Sequence, residues 1–300
     1  MSKMRWAAGV VVAAAVAMAA GVAHADDPDP RDWVPAPPGT KALGVYLGAQ
    51  DSHGFYTNGN KDDAGESLNV RLAVLRPMIF LPFFNTNMIF QPEVILPMGR
   101  IGFNMPGYSE HSSGLFDLQA GAALWFVNNE EKQFWMGYEP FLVAPTGTYD
   151  AAKATSLGAN RWATLQDLAI VKGFGSGANQ WIFEGTVELG IYGSNNDVLG
   201  EDGQRVTGQQ RPTYRFVLEA SRNITEATYV GLRYHYVTGG RATVGGAFDP
   251  DSGMSDHQLA ANITTFFKDH YQLQLQYLYD LRVKNGPAMN GAILRFFYVF

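Results

Sequence analysis

Strict alternation of apolar and polar side chains with a period of two constrains this sequence more than any other feature. In YQLQLQYLYDL, the odd positions from 271 to 279 are all Tyr or Leu, and positions 272, 274 and 276 are Gln. Alternate residues of a strand point to opposite faces, so this segment has one apolar and one polar face. WIFEGTVELGIY (181–192) and TYVGLRYHYV (228–237) repeat the pattern. The apolar faces often begin and end with an aromatic residue, which is typical of strands that contact lipid between two interfacial girdles.

The first 25 residues predict a cleaved secretory signal peptide. Lys3 and Arg5 precede an Ala/Val-rich run, and Ala23-His24-Ala25 forms an A-x-A cleavage site. A transmembrane anchor is the alternative, but alanine is weakly apolar and no stop-transfer charges follow. We therefore expect export through the inner membrane and leave residues 1–25 out of the fold.

Composition excludes several classes of protein. No second run of roughly 20 apolar residues follows, so a helical membrane protein is excluded. The net charge is −6 and no cluster of Lys or Arg occurs, so we expect no nucleic-acid partner. Cysteine is absent, which agrees only weakly with an oxidising compartment. A soluble β-protein and a membrane β-barrel remain.

The segment lengths favour the membrane barrel, because a tilted strand needs about 9–11 residues to cross the hydrocarbon. Connections between the segments alternate between long and short, as the two ends of an outer-membrane barrel require. We predict an all-β, transmembrane, antiparallel up-and-down β-barrel of about 12 strands over residues 41–300. Its least regular region is 76–106, where five prolines lack ladder donors. The predicted strands are 41–51, 66–82, 88–103, 113–127, 132–145, 160–173, 179–193, 211–222, 226–238, 256–267, 271–282 and 289–300.

The final ten residues, GAILRFFYVF, predict the strand that closes the barrel. Every backbone group inside a membrane must pair within the protein, so the last strand has to pair with the first. The alternating aromatics and the terminal Phe300 also resemble the C-terminal signal of Gram-negative outer-membrane barrels. That resemblance implies outer-membrane lipid and the barrel-insertion machinery as partners.

Three stretches carry a family likeness: RDWVPAPPGTK after the signal peptide, GLFDLQAGAALWF at 114–126, and PFLVAPTGTYD followed by LGANRW at 140–162. Together they resemble the outer-membrane transporter family named for the MetA pathway of phenol degradation. The resemblance covers most of the chain after residue 25 and contains no catalytic residues. It implies a porin-like transporter of small aromatic or otherwise apolar solutes, without specificity for phenol.

Residues 26–40 form a separate, proline-rich lead. DPDPRDWVPAPPGT cannot pair as an interior strand, because its prolines remove backbone donors. We leave two placements open for this lead: an extended periplasmic segment, or a segment inside the lumen that would act as a plug.

The polar faces of the strands predict the lumen. Its signs are mixed, so we expect arginine–carboxylate pairs between neighbouring strands. Either a narrow, selective pore or a packed polar core agrees with about twelve strands. The predicted pore-lining residues are Arg71, Asp117, Gln119, Glu139, Asp167, Glu184, Glu188, Arg215, Glu219, Arg233, His235, Gln274, Asp280 and Arg295.

Two alternatives to a transporter stay open. EHSSGL places His111 and Ser113 two residues apart, which resembles the H-x-S-x-G stretch of outer-membrane phospholipases, although Gly114 comes one residue early. A structural or adhesive barrel with a blocked lumen is the other alternative. We expect no enzyme activity and no catalytic residues.

We also expect no cofactor and no metal site. The six histidines lack ligand spacing, and GFGSGA at 173–178 is a glycine turn without the lysine of a phosphate loop. Acidic loops at 59–66 and 249–256 read as solvated surface more readily than as calcium sites.

Overall fold

The structure is a computed structural model, and it describes residues 28–200, 202–268 and 270–300. The predicted signal peptide lies outside the described residues. Among those residues, no helix has the length and apolar character to cross a membrane.

Twelve antiparallel strands form one closed barrel. Each strand pairs with the next along the chain, so the order around the barrel is the order in the sequence. The all-β, twelve-stranded fold predicted from the alternation is confirmed. The strands are β1 (Lys41–Thr57), β2 (Ser67–Ile79), β3 (Ile89–Met105), β4 (Tyr108–Leu115 and Leu118–Asn129), β5 (Phe134–Ala144), β6 (Ala163–Phe174), β7 (Trp181–Tyr192), β8 (Thr213–Asn223), β9 (Thr228–Gly239), β10 (Met254–Phe267), β11 (Tyr271–Arg282) and β12 (Gly286–Val299).

The last strand closes the barrel against the first. β12 pairs with β1 from Ala42↔Val299 to Tyr56↔Gly286, with one register shift between Ser52 and Gly54. Beyond the strand, Phe300 N–H donates to the Lys41 carbonyl at 2.9 Å. Closure leaves no open sheet edge, as a membrane span requires.

Several strands extend beyond the predicted ends on one side of the barrel. β1 continues to Thr57, and β3 and β4 meet in a tight hairpin at Pro106-Gly107, within the gap between the predicted strands 88–103 and 113–127. On the same side, residues 195–199, 205–210, 242–244 and 247–248 form a small four-stranded sheet from two long loops. Hydrogen bonding above the membrane belt lengthens these strands, and a pattern based on lipid contact does not show where they end.

The proline-rich region keeps its strands but changes their pairing. β4 is interrupted at Phe116 and Asp117, and its two parts pair with different halves of β3. Phe116 N–H donates to the carbonyl of Pro97 at 3.0 Å. The β2–β3 ladder skips Arg76 and Pro77. The prolines therefore interrupt the ladders locally without ending β3.

Large apolar side chains cover the outside of the barrel. Leu47, Leu218 and Leu232 are 54%, 61% and 63% exposed. An apolar surface of this extent is not stable in water, so it is the lipid-facing belt. The exposed aromatics at the end that holds both termini include Phe84, Phe174, Trp181, Phe183, Phe266, Phe267, Tyr298 and Phe300.

Gly99 permits β2 and β3 to approach closely. A Cβ atom built at this position would lie 2.0 Å from the backbone carbonyl oxygen of Arg71. We expect Gly99→Ala to separate the two strands and to lower the free energy of unfolding in detergent by about 1–3 kcal/mol. Gly185→Ala is the matched control, because its nearest neighbours lie 3.7 Å away. Urea unfolding of both variants in micelles measures the difference, and equal stabilities would contradict this account of Gly99.

Candidate functional site

Residues 28–36 of the lead lie inside the lumen and contact the inner wall, whereas residues 37–39 are exposed just before β1. Asp29 and Asp32 accept hydrogen bonds from Nη1 of Arg295 at 3.0 and 2.7 Å. Nη1 of Arg233 lies 3.7 Å from Asp29 and donates to the Pro28 carbonyl at 3.0 Å. Arg295 and Arg233 are both buried, so these pairs are shielded from solvent. The N-terminal end of the lead is thus bound to two separate strands, β9 and β12.

Arg31 and Trp33 fasten the lead to a third part of the wall. Their backbone N–H groups both donate to the carboxylate of Glu184, at 2.6 and 3.3 Å. The Arg31 guanidinium stacks over the Tyr229 ring at 4.0 Å and donates to the Ser221 hydroxyl. A single buried carboxylate therefore receives two backbone donors of the lead.

The indole of Trp33 fills the lumen near the end that holds both termini. It meets Trp125 edge to face, with ring centroids 5.9 Å apart, and the Trp125 indole N–H donates to the Trp33 carbonyl at 2.9 Å. Gly137 leaves room for it, since an added Cβ would lie 2.8 Å from the Trp33 ring. Phe80 and Trp135 belong to the same buried cluster. The lumen is packed at this level.

Arg76 and Glu93 form a buried ion pair across β2 and β3. Nε of Arg76 lies 2.9 Å from Oε2 of Glu93, and Nη2 lies 2.8 Å from Oε1. Gln91 donates to the same carboxylate at 2.7 Å, and Nη1 of Arg76 reaches Asp32 of the lead at 3.4 Å. The Arg76 guanidinium therefore binds two carboxylates: that of Glu93 through two parallel hydrogen bonds, and that of Asp32 through Nη1.

Carboxylates dominate the inner face of β5 to β8. Neighbouring strands place Glu139 opposite Asp167, Asp167 opposite Glu188, and Glu184 opposite Glu219. Like charges directly opposite each other destabilise a sheet, so these carboxylates need nearby cations to balance their charge. Arg215 forms an ion pair with Glu188, and Arg233 lies opposite Glu219. The wall is acidic, and buried arginines balance part of its negative charge.

The opposite wall, on β1 to β4, is apolar toward the loop-rich end. Leu68, Val70, Ile101 and Phe103 are 1–3% exposed and form one cluster with Phe116. This upper lumen differs from the polar interior expected of a water-filled pore.

Loop 145–162 folds over this apolar wall. Its Ala154 and Leu157 join the same buried cluster. Thr155 donates to Glu110 through both its N–H and its hydroxyl, at 2.9 and 2.6 Å. The loop therefore covers the apolar part of the lumen from the side opposite the lead.

Asp117, at the break in β4, fixes both ends of loop 145–162. Its carboxylate accepts the backbone N–H of Gly147 at 2.9 Å and that of Ala159 at 2.8 Å. Farther out, the Tyr149 hydroxyl donates to the carbonyl of Asp197 at 2.8 Å. Burial raises the pKa of the Tyr149 hydroxyl above its ordinary value.

A cavity of about 150 Å³ lies between the lead and the loops. One side is apolar and includes Leu72, Val74 and Ile293; the other is polar and includes His235 and Gln258. Asp29 of the lead also lines it. The cavity is thus amphipathic, and its size suits one small molecule.

The structure places most of the predicted lumen residues on the inner face. That they line a conducting pore stays a prediction. Asp280 is half-buried and accepts a hydrogen bond from Gln258, and Asp117 anchors a loop. The buried inner residues are Gln119, Glu139, Asp167, Glu184, Glu188, Arg215, Glu219, Arg233, His235, Gln274 and Arg295.

The assignment of Arg71 to the lumen is wrong. Its side chain is 49% exposed and pairs with Asp51 on the outside of the barrel. The inner face of β2 carries Leu68, Val70 and Val74 instead, so the rule that polar residues face the lumen fails where the upper lumen is apolar.

Arg76, Gln91 and Glu93 are inner residues that the sequence pattern did not predict. All three are buried in the proline-rich region, where the alternation is weakest. Gln91 and Glu93 stand two positions apart on one strand face, and this spacing is the signal that could have identified them. Among the described residues, no group of three or more His, Asp or Glu side chains is arranged to hold a metal.

Comparison with known families gives a match over most of the chain. Residues 50–296 match the family described as "Putative MetA-pathway of phenol degradation". The chain belongs to this family. Its resemblance in sequence to this family is confirmed, and no curated protein sequence matches the chain.

Solved structures share the fold. The COG4313 outer membrane channel from Pseudomonas putida F1 is 26% identical, with a TM-score of 0.82 over 91% of this chain and 100% of that one. The translocator domain of the autotransporter NalP from Neisseria meningitidis is 13% identical, with a TM-score of 0.52 over 93% and 97%. A TodX deltaS2S3 mutant, a monoaromatic hydrocarbon channel, is 8% identical, with a TM-score of 0.53 over 88% and 91%. The last two likenesses concern the barrel fold alone.

We expect Arg295→Ala to release the lead of this family member from its lumen. The change leaves Asp29 and Asp32 without their shared buried cation, and removal of one partner of a buried ion pair costs about 3–5 kcal/mol. Hydrogen exchange measured by mass spectrometry should show faster exchange across residues 28–40. Arg282→Ala, on an exposed arginine of the outer wall, is the control. Unchanged protection in the Arg295 variant would mean that these ion pairs do not hold the lead.

Proposed function

We propose that this protein is an outer-membrane channel for small aromatic or otherwise apolar solutes and that it has no enzyme activity. Membership of the family and the likeness to the COG4313 channel support a channel. The transmembrane barrel supports an outer-membrane location.

The amphipathic cavity is the observation that carries the proposed solute class. Val70, Leu72 and Val74 provide an apolar surface that a hydrated ion does not need. His235 and Gln258 offer hydrogen-bonding groups on the facing side. A small apolar molecule with one polar group matches both walls, because ligand sites combine a mostly apolar lining with a few placed polar groups.

A barrel with a blocked lumen is the second candidate, and specific contacts favour it. The lead packs the lumen at one end through Trp33, and loop 145–162 covers the apolar wall at the other. Conductance in planar bilayers separates the two functions. A channel gives discrete current steps in the full barrel or in a barrel without residues 28–40, whereas a structural barrel gives none in either.

The phospholipase-like alternative has little support from the geometry. His111 and Ser113 are both exposed on β4, and Ser112 between them is buried and within 2.9 Å of the Thr155 hydroxyl. The third group that orients a catalytic histidine is not among the contacts of His111 in the described chain. Ser113→Ala should leave solute uptake unchanged, and neither the variant nor the unmodified protein should show lipase activity.

Polar substitution in the apolar wall should reduce solute uptake. We expect Val70→Asn to lower the accumulation of small aromatic and aliphatic compounds several-fold, because the solute would have to displace water from the new amide. Val206→Asn makes the same change in the loop sheet outside the lumen and should have no effect. Uptake of a panel of such compounds in a deletion strain measures this, and equal uptake by the two variants would remove the apolar wall from the proposal.

Removal of inner arginines should shift ion selectivity toward cations. Arg215→Ala and Arg233→Ala each remove a buried positive charge from an acidic wall. Arg222→Ala, on an exposed outer arginine, is the control. Reversal potentials across a salt gradient should move toward the cation value in the inner variants alone. Unchanged potentials would show that the permeating ions do not pass this wall.

A further inference from the structure

Two arginines stand directly opposite each other on the outer surface. Arg71 of β2 pairs in register with Arg100 of β3, and both side chains are exposed. Side chains opposite each other on a sheet have Cβ atoms about 4.5–5.5 Å apart, so two like charges here destabilise the barrel unless an anion lies between them.

The protein supplies only part of the negative charge that the two arginines require. Asp51 accepts two hydrogen bonds from Nη2 of Arg71, at 2.9 and 3.2 Å, but this pair is largely exposed and therefore weak. Arg100 makes no hydrogen bond or ion pair with any residue that the structure describes. The site thus has one charge that its own carboxylate does not balance.

An apolar crevice begins at the same two arginines. It is shallow and largely open to its surroundings, with a volume of about 550 Å³, and it is lined along the outer wall by small and branched side chains. Ala49, Ala73 and Ala292 leave the space, while Leu47 and Leu294 form its sides. A hydrocarbon chain fits such a groove, and a peptide strand does not, because the neighbouring backbone groups are already paired within the barrel.

The arginines lie at the level where lipid headgroups are expected. The step of eight residues from Lys41 to Ala49 along β1 covers roughly 27 Å. At a strand tilt of roughly 40° this is about 20 Å of height, close to the apolar band of about 25 Å in such barrels. Arg71 pairs directly with Ala49, on the side of the barrel away from the chain termini.

We propose that Arg71, Arg100 and the crevice bind a phosphorylated lipid of the outer leaflet. The phosphate lies between the two guanidinium groups, and an acyl chain follows the alanine-lined groove. A phosphate monoester carries a charge of about −1.5 to −2, which balances the pair better than a carboxylate does. Arginine also holds phosphate oxygens through two parallel hydrogen bonds.

Native mass spectrometry of the purified full barrel tests this site. The probes are a diphosphoryl diglucosamine lipid, the same lipid without phosphates, and inorganic phosphate alone. We expect Arg100→Gln to weaken binding of the phosphorylated lipid about fivefold and the double change Arg71→Gln with Arg100→Gln roughly 25-fold. Arg282→Gln, an exposed arginine outside the crevice, should bind as the unmodified protein does.

A second variant tests the groove without removing charge. Ala73→Trp fills the crevice, so it should weaken binding of the lipid while leaving both arginines in place. A difference in gel mobility between boiled and unboiled samples, as for the unmodified barrel, confirms that each variant is folded.

Three outcomes would overturn the proposal. The first is equal binding of the phosphorylated and dephosphorylated lipids, and the second is unchanged affinity in the double arginine variant. The third is binding of inorganic phosphate as tightly as the lipid, which would show a free-anion site without a role for the groove.

Discussion

Satisfaction of every backbone group within the protein is the constraint on which the rest of this structure depends. A lipid environment offers no hydrogen-bond partner, so twelve strands must pair on both edges and the last must return to the first. Closure creates an enclosed space and fixes which face of each strand looks into it. The chemistry of the protein then depends on which segments fill this lumen and on how the buried charges of its wall are balanced.

The enclosed space is divided by chemistry. Near the termini it is filled by the lead, which brings Asp29 and Asp32 to buried arginines and places Trp33 against Trp125. Toward the loops one wall is apolar and the other acidic, with a cavity between them. A buried carboxylate without a cation is costly, so the arginines of the wall and the acids of the lead depend on one another. On the outer surface, Asp51 binds Arg71 but not Arg100, so the charge of this arginine pair is only partly balanced by the protein.

Much of the barrel could be predicted from sequence, because lipid contact imposes a period of two that is visible in single strands such as β11. The strand number and the closure by β12 followed from this alternation. The placement of Arg71 could not be predicted, since polarity indicates the lumen only where the lumen is polar. Arg76 and Glu93 were missed because prolines obscure the alternation there. The contacts between the lead and Glu184 join residues about 150 positions apart, and no local pattern encodes them.

The position of the lead before β1 has a consequence for the closed ring. Residues 28–36 are enclosed by a ring whose final seam joins β1 to β12, the first and last strands to be synthesised. The lead continues directly into β1, and its Asp29 and Asp32 bind Arg295 of β12, so it links the two strands of the seam from inside the ring. Opening the seam would break buried ion pairs as well as ladder hydrogen bonds, and the lead therefore acts as an internal clasp on the closed wall.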